Sequence, residues 1–479
     1  MKNVLIILVF FISYNLVAQN ISGFVFADIN ANGNLDKREA GIANISVSNG
    51  EQVVKTDAKG YYSLPTNDAN FVFIAKPSEY AFVLDSDGNR IFYGKVQTNV
   101  QLNFPLLPSQ KKENLHLLVI GDPQVYDTLQ ISYFERELNS INPATYDLAL
   151  VLGDIVFDKL DLLDDMKKLM NSKEKPFYTV PGNHDINFDA TTDKVSGKTY
   201  TEVFGPEYYS FSEGNVHFVL LDNIDFPVKN EAGRNTYLGR IGKKQLAWLE
   251  NDLKFVPDDY TVVAAMHIPI SSTSGYYAQN KLQDSTELLN VLSKRHEALI
   301  VTGHTHTFEQ YFYKANNREI RLAIAGAACG SWWRGELGSF GVPEAICTDG
   351  SVKGYQIYNF DKKSYSFTYF PFFYDANYQF ELEFENENEL KPGSEIYVNV
   401  FNGNKHTKVE ILLNNQLSLT AEQVTTTSVR ARKNFDQAWN NWDWLSETPA
   451  EHFWKVVLPA DCTASELELT VKVTDEFGN

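Results

Sequence analysis

The chain has 479 residues and a formal net charge of −19 at pH 7. So acidic a surface argues against binding to nucleic acid or an anionic membrane through the overall field, although a local metal site can still accept a small phosphorylated substrate. The length gives room for about three domains of roughly 150 residues. The three cysteines (Cys329, Cys347 and Cys462) cannot all pair with one another, and the absence of any CxxC argues against thiolate metal chemistry.

At the front, Met1-Lys2 precedes an apolar run from Val4 to about Ile12, with Ala18 offering a cleavage position. Residues 1–18 resemble a secretory signal peptide too short to span a bilayer, and no later stretch is long and apolar enough to do so. The mature protein is therefore expected to be exported: periplasmic, cell-surface or secreted. In that oxidising setting a Cys329–Cys347 bridge is conceivable.

Short alternating strands with turn residues fill the stretch from Ile21 to Leu107, which predicts a small β-sandwich over 19–108. Within it, Asp28, Asn30, Asn32, Asp36 and Glu39 occupy positions 1, 3, 5, 9 and 12 of a loop with Gly33 at position 6, the spacing of a calcium-binding loop. Its flanks are strand-like, so it is no helix–loop–helix hand. With Gly41-Ile42 and Thr56 to Tyr61 it resembles the calcium-binding B-type repeats of bacterial surface proteins, which implies a structural calcium; the alternative is an Asx-rich turn without an ion. Pro105 to Lys112 reads as a linker.

From 109 to 372 the texture changes to strands alternating with helical periodicity (Lys159 to Asn171, Gly242 to Phe255, Ser285 to His296), which implies a layered α/β domain. Five apolar runs end in polar residues of metal-ligand type. Leu115 to Ile120 leads to Asp122 and Gln124, Leu148 to Leu152 to Asp154, and Phe177 to Val180 to Asn183 and His184. Thr261 to Met266 leads to His267, and Ala298 to Thr302 to His304 and His306. Core packing gives no reason for such residues at five strand ends, whereas ligand crevices of α/β sheets lie at those ends. Phe308 to Tyr313 with Arg318 to Ala325, and Gly354 to Phe360 with Tyr365 to Phe370, read as hairpins. Strand patterns from Phe380 to Val473 predict a third, β-rich domain over 373–479.

Taken in order, Gly121-Asp122-Pro123-Gln124, Gly153-Asp154 with Asp158, Gly182-Asn183-His184-Asp185, His267 and Gly303-His304-Thr305-His306 resemble the five motifs of calcineurin-like metallophosphoesterases. The layout, with Cys329 to Trp333 and Asp349-Gly350, resembles an exported bacterial subgroup with β domains on both sides. The resemblance implies a two-sheet core flanked by helices, with small all-β domains at both ends. It also implies two divalent transition ions (Mn, Fe or Zn), for which a carboxylate, amide and imidazole ligand set is chemically suited. Asp154 would bridge ions about 3.5–4 Å apart. Asp122, Gln124 and His306 would complete one site, and Asn183, His267 and His304 the other. A hydroxide between the ions would attack phosphorus, and His184 would protonate the leaving oxygen.

Asp158 is suited to hold the His184 tautomer and raise its pKa; its other reading is a cap on the Lys159 helix. Gln124 departs from the family pattern, which usually has His there, and its carbonyl oxygen is a weaker donor. Trp332, Trp333 and Arg334 are candidates to line a substrate cleft, with Arg334 clamping phosphate; a packed aromatic loop is the alternative. His217 reads as a core residue, and His116, His296, His406 and His452 have no constellation around them. Thr192 stands where a nucleotide loop ending in Lys198-Thr199 needs its first Gly, and no Gly-x-Ser-x-Gly elbow exists. The expectation is an exported dinuclear hydrolase of small phosphate mono- or diesters, its oligomeric state left open. The rivals are a catalytically lapsed cell-surface or carbohydrate-binding protein and an oxidative dimetal enzyme.

Overall fold

The structure, a computed structural model, describes residues 20–66, 69–97, 100–273, 281–362, 364–385, 390–414, 417–437, 442–460 and 468–479. The leader-like stretch 1–18 and Cys462 lie outside the described residues.

Two mixed sheets make the centre. One has the order Phe177–Thr179, Leu148–Val151, Leu115–Ile120, Gly354–Phe360, Tyr365–Pro371. The first three strands run parallel and the last two form the expected hairpin, whose first strand Gly354–Phe360 pairs antiparallel with Leu115–Ile120. The other has the order Tyr209–Glu213, Val216–Leu220, Thr261–Ala265, Glu297–Thr302, Arg318–Ile324, Glu309–Ala315, with four parallel strands inside an antiparallel edge on each side.

The apolar runs are continuous because both faces of these strands are covered. Leu117, Val119, Leu148 and Leu150 face the core shared with Phe218, Val262 and Ile300 of the second sheet. The alternate residues Leu118, Ile120, Ala149 and Val151 pack against Phe134, Leu163 and Met166 of the helices. Period-2 alternation thus assigns each strand residue to one of two apolar layers. Thr128–Ser140 is a helix that the apolar spacing did not reveal: its buried face includes Glu137, so its apolar stripe is interrupted, and Asp127 caps it through the Gln130 N–H at 2.9 Å.

The N-terminal strands form two four-stranded sheets that share a core with the second central sheet. Pro105 to Lys112 is no free linker. Phe104–Pro108 is a strand running parallel to Asn20–Ala27, because prolines are tolerated at ladder positions that donate no hydrogen bond. The C-terminal strands form a four-stranded and a three-stranded sheet around Ile396, Val398, Ile411 and Trp454. Arg321 on the second central sheet makes a bidentate pair with Glu476, tying the last residues back to the centre.

Candidate metal centre

All seven residues expected as ligands lie at one rim, beyond the carboxyl ends of Leu115–Ile120, Leu148–Val151, Phe177–Thr179, Thr261–Ala265 and Glu297–Thr302. Each is at most 3% exposed. The turns there are tight. Asp122, Gln124, Asp154, His304 and His306 all have positive φ, between 39° and 78°, a strained backbone that concentrates at functional sites. Three glycines let the loops meet. A Cβ on Gly182 would lie 2.2 Å from Asp154 Oδ1, one on Gly303 2.3 Å from Asp122 Oδ2, and one on Gly153 2.8 Å from His267 Nδ1.

Hydrogen bonds fix which nitrogen faces inward. His267 Nδ1 is 2.7 Å from the Leu152 carbonyl, which leaves Nε2 facing Asp154 Oδ2 at 3.3 Å and Asn183 Oδ1 at 3.1 Å. His304 Nδ1 lies 3.1 Å from the same His267 Nε2. His306 Nδ1 is held by the Gly330 carbonyl at 2.8 Å, turning Nε2 toward Asp122 Oδ1 at 3.9 Å. Such outer partners set the orientation of metal-binding imidazoles. One atom each from Asp154, His267 and His304 lies within 4.8 Å of the others.

Burial, together with the charge of Asp154, pushes the Asp122 carboxyl up to about 8. Burial opposes ionisation of Asp154 too, but His267 and His184 outweigh it and hold that carboxyl below its ordinary range. Burial pushes His306 down to about 4 and His304 well below its usual value. Burial works against a charge on His267, but the charge of Asp154 outweighs it and raises that imidazole to about 9. Imidazoles and buried carboxyl groups converging on one rim form a donor set that fits divalent transition ions, whose binding displaces such protons.

Gln124 is at the same site, with its amide nitrogen 3.2 Å from Asp154 Oδ2; a half-turn of the amide exchanges nitrogen and oxygen. His184 stands at the mouth, its side chain 23% exposed, with Nε2 4.0 Å from Asp154 Oδ2. Asp158 Oδ1 holds its Nδ1 at 2.6 Å. Burial lowers the His184 pKa, but the charge of Asp154 and the Asp158 hydrogen bond reverse this and raise it. Asp158 is not a helix cap: it sits at φ 60°, and the helical turn begins at Leu160 with no side-chain cap.

Other expectations need correcting. Trp332 and Trp333 are largely buried, 8% and 5% exposed. Trp332 stacks on His306 with ring centroids 4.2 Å apart, and Trp333 Nε1 donates to the Pro123 carbonyl at 2.8 Å. Both therefore back the ligand loops. The Arg334 guanidinium lies over Trp442, 3.3 Å from its ring centre. Cys329 and Cys347 are buried free thiols, not a disulfide. His452, expected to stand alone, is paired with Asp349 at 3.1 Å, both fully buried, and His116 lies 3.4 Å from Asp147. His217 is buried between Ser212 and Asp252, as a core histidine should be.

Two positioning groups were missed. Asp185 accepts from the backbone N–H groups of Ile155, Val156 and Gly182, locking two ligand loops together; its signal was its place directly after His184. Asp349 accepts from Phe308 N–H at 2.7 Å, two residues after His306. The Asp28 loop does bring its five residues together. Asp28 accepts from Asn32 and Gly33 N–H, Asp36 from the Asn30 and Asn32 amides, and Glu39 from Ile29 and Asp36 N–H.

Three family models match successive parts of the chain: N terminal of Calcineurin-like phosphoesterase over 29–109, Calcineurin-like phosphoesterase over 115–308, and C terminal of Calcineurin-like phosphoesterase over 323–479. A 3',5'-cyclic-nucleotide phosphodiesterase of Nostoc sp. is 28% identical over 173 residues, covering 36% of this chain and 59% of the relative. Purple acid phosphatase 21 of Arabidopsis thaliana is 26% identical over 202 residues, covering 39% and 43% respectively. The matches thus span less than two thirds of these curated relatives. The structure of a purple acid phosphatase from yellow lupin aligns with a TM-score of 0.40 at 13% identity, over 74% of this chain and 67% of that one.

Proposed function

As this chain belongs to the calcineurin-like phosphoesterases, we propose that it hydrolyses small phosphate esters with a pair of divalent transition ions. The observation that carries this reading is the convergence of Asp154 Oδ2, His267 Nε2 and His304 Nδ1, with Asp122 and His306 beside them. Asp122, Gln124 and His306 would hold one ion, Asn183, His267 and His304 the other, and Asp154 both. Bound there, the ions supply Lewis acidity toward the phosphoryl oxygens and activate water at neutral pH.

The rest is done by groups of this protein. The backbone N–H of His184 donates to Asp154 Oδ1 at 2.9 Å and keeps that carboxylate in place. The His184 imidazole, oriented by Asp158 on Nδ1, gives the Nε2 proton to the leaving oxygen. The stacked Trp332 excludes water from one face of His306. One relative is named a phosphodiesterase and another a phosphatase, so both ester classes belong in the test.

The test compares wild type with Asp154→Asn for metal content and for turnover of p-nitrophenyl phosphate and its bis-ester, before and after chelation. About two ions per chain and metal-dependent turnover are expected for wild type, with both lost in the variant. A variant with full stoichiometry and full rate removes Asp154 from the mechanism. A wild type without metal-dependent turnover on either ester returns the lapsed-enzyme reading, which Gln124 in place of the usual His favours. The same proposal has the leader-like stretch direct export, checked by cell fractionation. It also has Asp28 to Glu39 hold a structural calcium ion, checked by a calcium-dependent rise in Tm that Asp36→Asn abolishes.

A further inference from the structure

The rim beside His184 is walled by aromatic rings. Phe157 contacts the His184 ring at 4.6 Å between centroids. Phe157 also packs against the apolar cluster that contains Trp332 and Leu445, and Trp332 in turn stacks on His306. The wall therefore reaches from the proton donor to a metal ligand. Its outer layer comes from the C-terminal part of the chain: Trp442 and Trp444 stack on each other at 4.7 Å, and Trp444 meets Trp332 edge-on at 4.7 Å. Trp444 is 54% exposed, whereas Trp332 beneath it is 8% exposed. Trp444 thus keeps about half of its indole in water while resting on Trp332, the ring that stacks on His306.

In the proposed reaction the leaving oxygen takes its proton from His184, and the Phe157 ring against His184 is where this wall begins. Indole faces bind flat rings, through base stacking or through the apolar face of a sugar, and bind an acyclic chain poorly. We propose that Trp444, supported by Trp442, is a stacking platform for the leaving group, so that the enzyme prefers phosphate esters whose alcohol carries a ring with a face that can lie on indole, the base of a nucleoside or the apolar face of a hexose, over acyclic esters. The platform rests on the phosphoesterase reading above.

The experiment measures kcat/KM of the metal-loaded enzyme for adenosine 5′-phosphate, glucose 6-phosphate and glycerol 3-phosphate, in wild type, Trp444→Ala and Trp444→Phe. For one of the ring-bearing esters, the ratio to glycerol 3-phosphate is expected to fall about 5- to 100-fold in Trp444→Ala, mostly through KM, and to recover in part in Trp444→Phe. The ester whose ratio falls identifies the ring. Ratios unchanged for both esters, or a Phe variant no better than Ala, overturn the platform. If wild type turns over none of the three, the phosphoesterase reading has failed on these esters. Calorimetric titration of adenosine 5′-phosphate and glucose 6-phosphate then still decides the platform, and equal affinities in wild type and Trp444→Ala overturn it.

Discussion

Replacing His184 by Ala removes one imidazole and little else. The side chain is largely covered but not core, and its lost contacts are the Asp158 hydrogen bond at 2.6 Å and the Phe157 ring at 4.6 Å. The ring contact contributes about 0.5–1.5 kcal/mol, so the fold survives. The backbone N–H that holds Asp154 at 2.9 Å remains, and so does every expected ligand. Metal content should therefore match wild type. General acid catalysis typically supplies about 10²–10⁴-fold, which corresponds to roughly 2.7–5.4 kcal/mol of barrier. That loss should fall on esters of aliphatic alcohols, whose alkoxide cannot leave without a proton. A p-nitrophenyl ester, whose phenolate is stable near neutral pH, should lose far less. The assay is kcat on both ester types with metal analysis on the same preparations. Equal losses on the two leaving groups, or a loss of metal, refutes the assignment of His184 as proton donor.

Gly182→Ala places a Cβ 2.1 Å from Asp154 N and 2.2 Å from its Oδ1, so metal content and turnover should both collapse while the bulk of the fold persists by circular dichroism. Asp349→Ala removes the acceptor for the buried Phe308 N–H and for His452; leaving such groups unsatisfied costs about 1–3 kcal/mol, visible as a lower Tm and weaker metal retention. Burial raises the Glu476 carboxyl, but the Arg321 pair outweighs it and holds its pKa below the usual value. A folded-state pKa below the unfolded one means the pair stabilises above pH about 4 and loses that contribution as pH falls through the folded-state pKa. Glu476→Gln should flatten that acid limb of Tm against pH, and an unchanged limb assigns it to other carboxylates.

Much of the site was legible because each candidate ligand follows an apolar run that stops at a glycine or a polar residue: Ile120 before Asp122, Leu152 before Asp154, Thr302 before His304. A buried strand must be apolar on both faces, so its end is written in local composition, and five such ends in the right order specified the rim. The resemblance of Asn183-His184 to the family's Asn-His pair implied that His184 stands outside the ligand set. What local composition could not carry was direction and long-range partnership. That His306 turns Nε2 inward depends on the carbonyl of Gly330, and that Trp332 is buried depends on His306 beneath it and Trp444 above. The burial of His452 against Asp349 joins residues 103 positions apart. Phe104–Pro108 became a strand because Asn20–Ala27 offered it a parallel edge, overriding its prolines. The sequence by itself determined which residues meet at the sheet ends, since that follows from where apolar runs stop. Only the tertiary structure decided which atoms face one another and which distant rings close over them, because those depend on contacts between segments with no local signature in the chain.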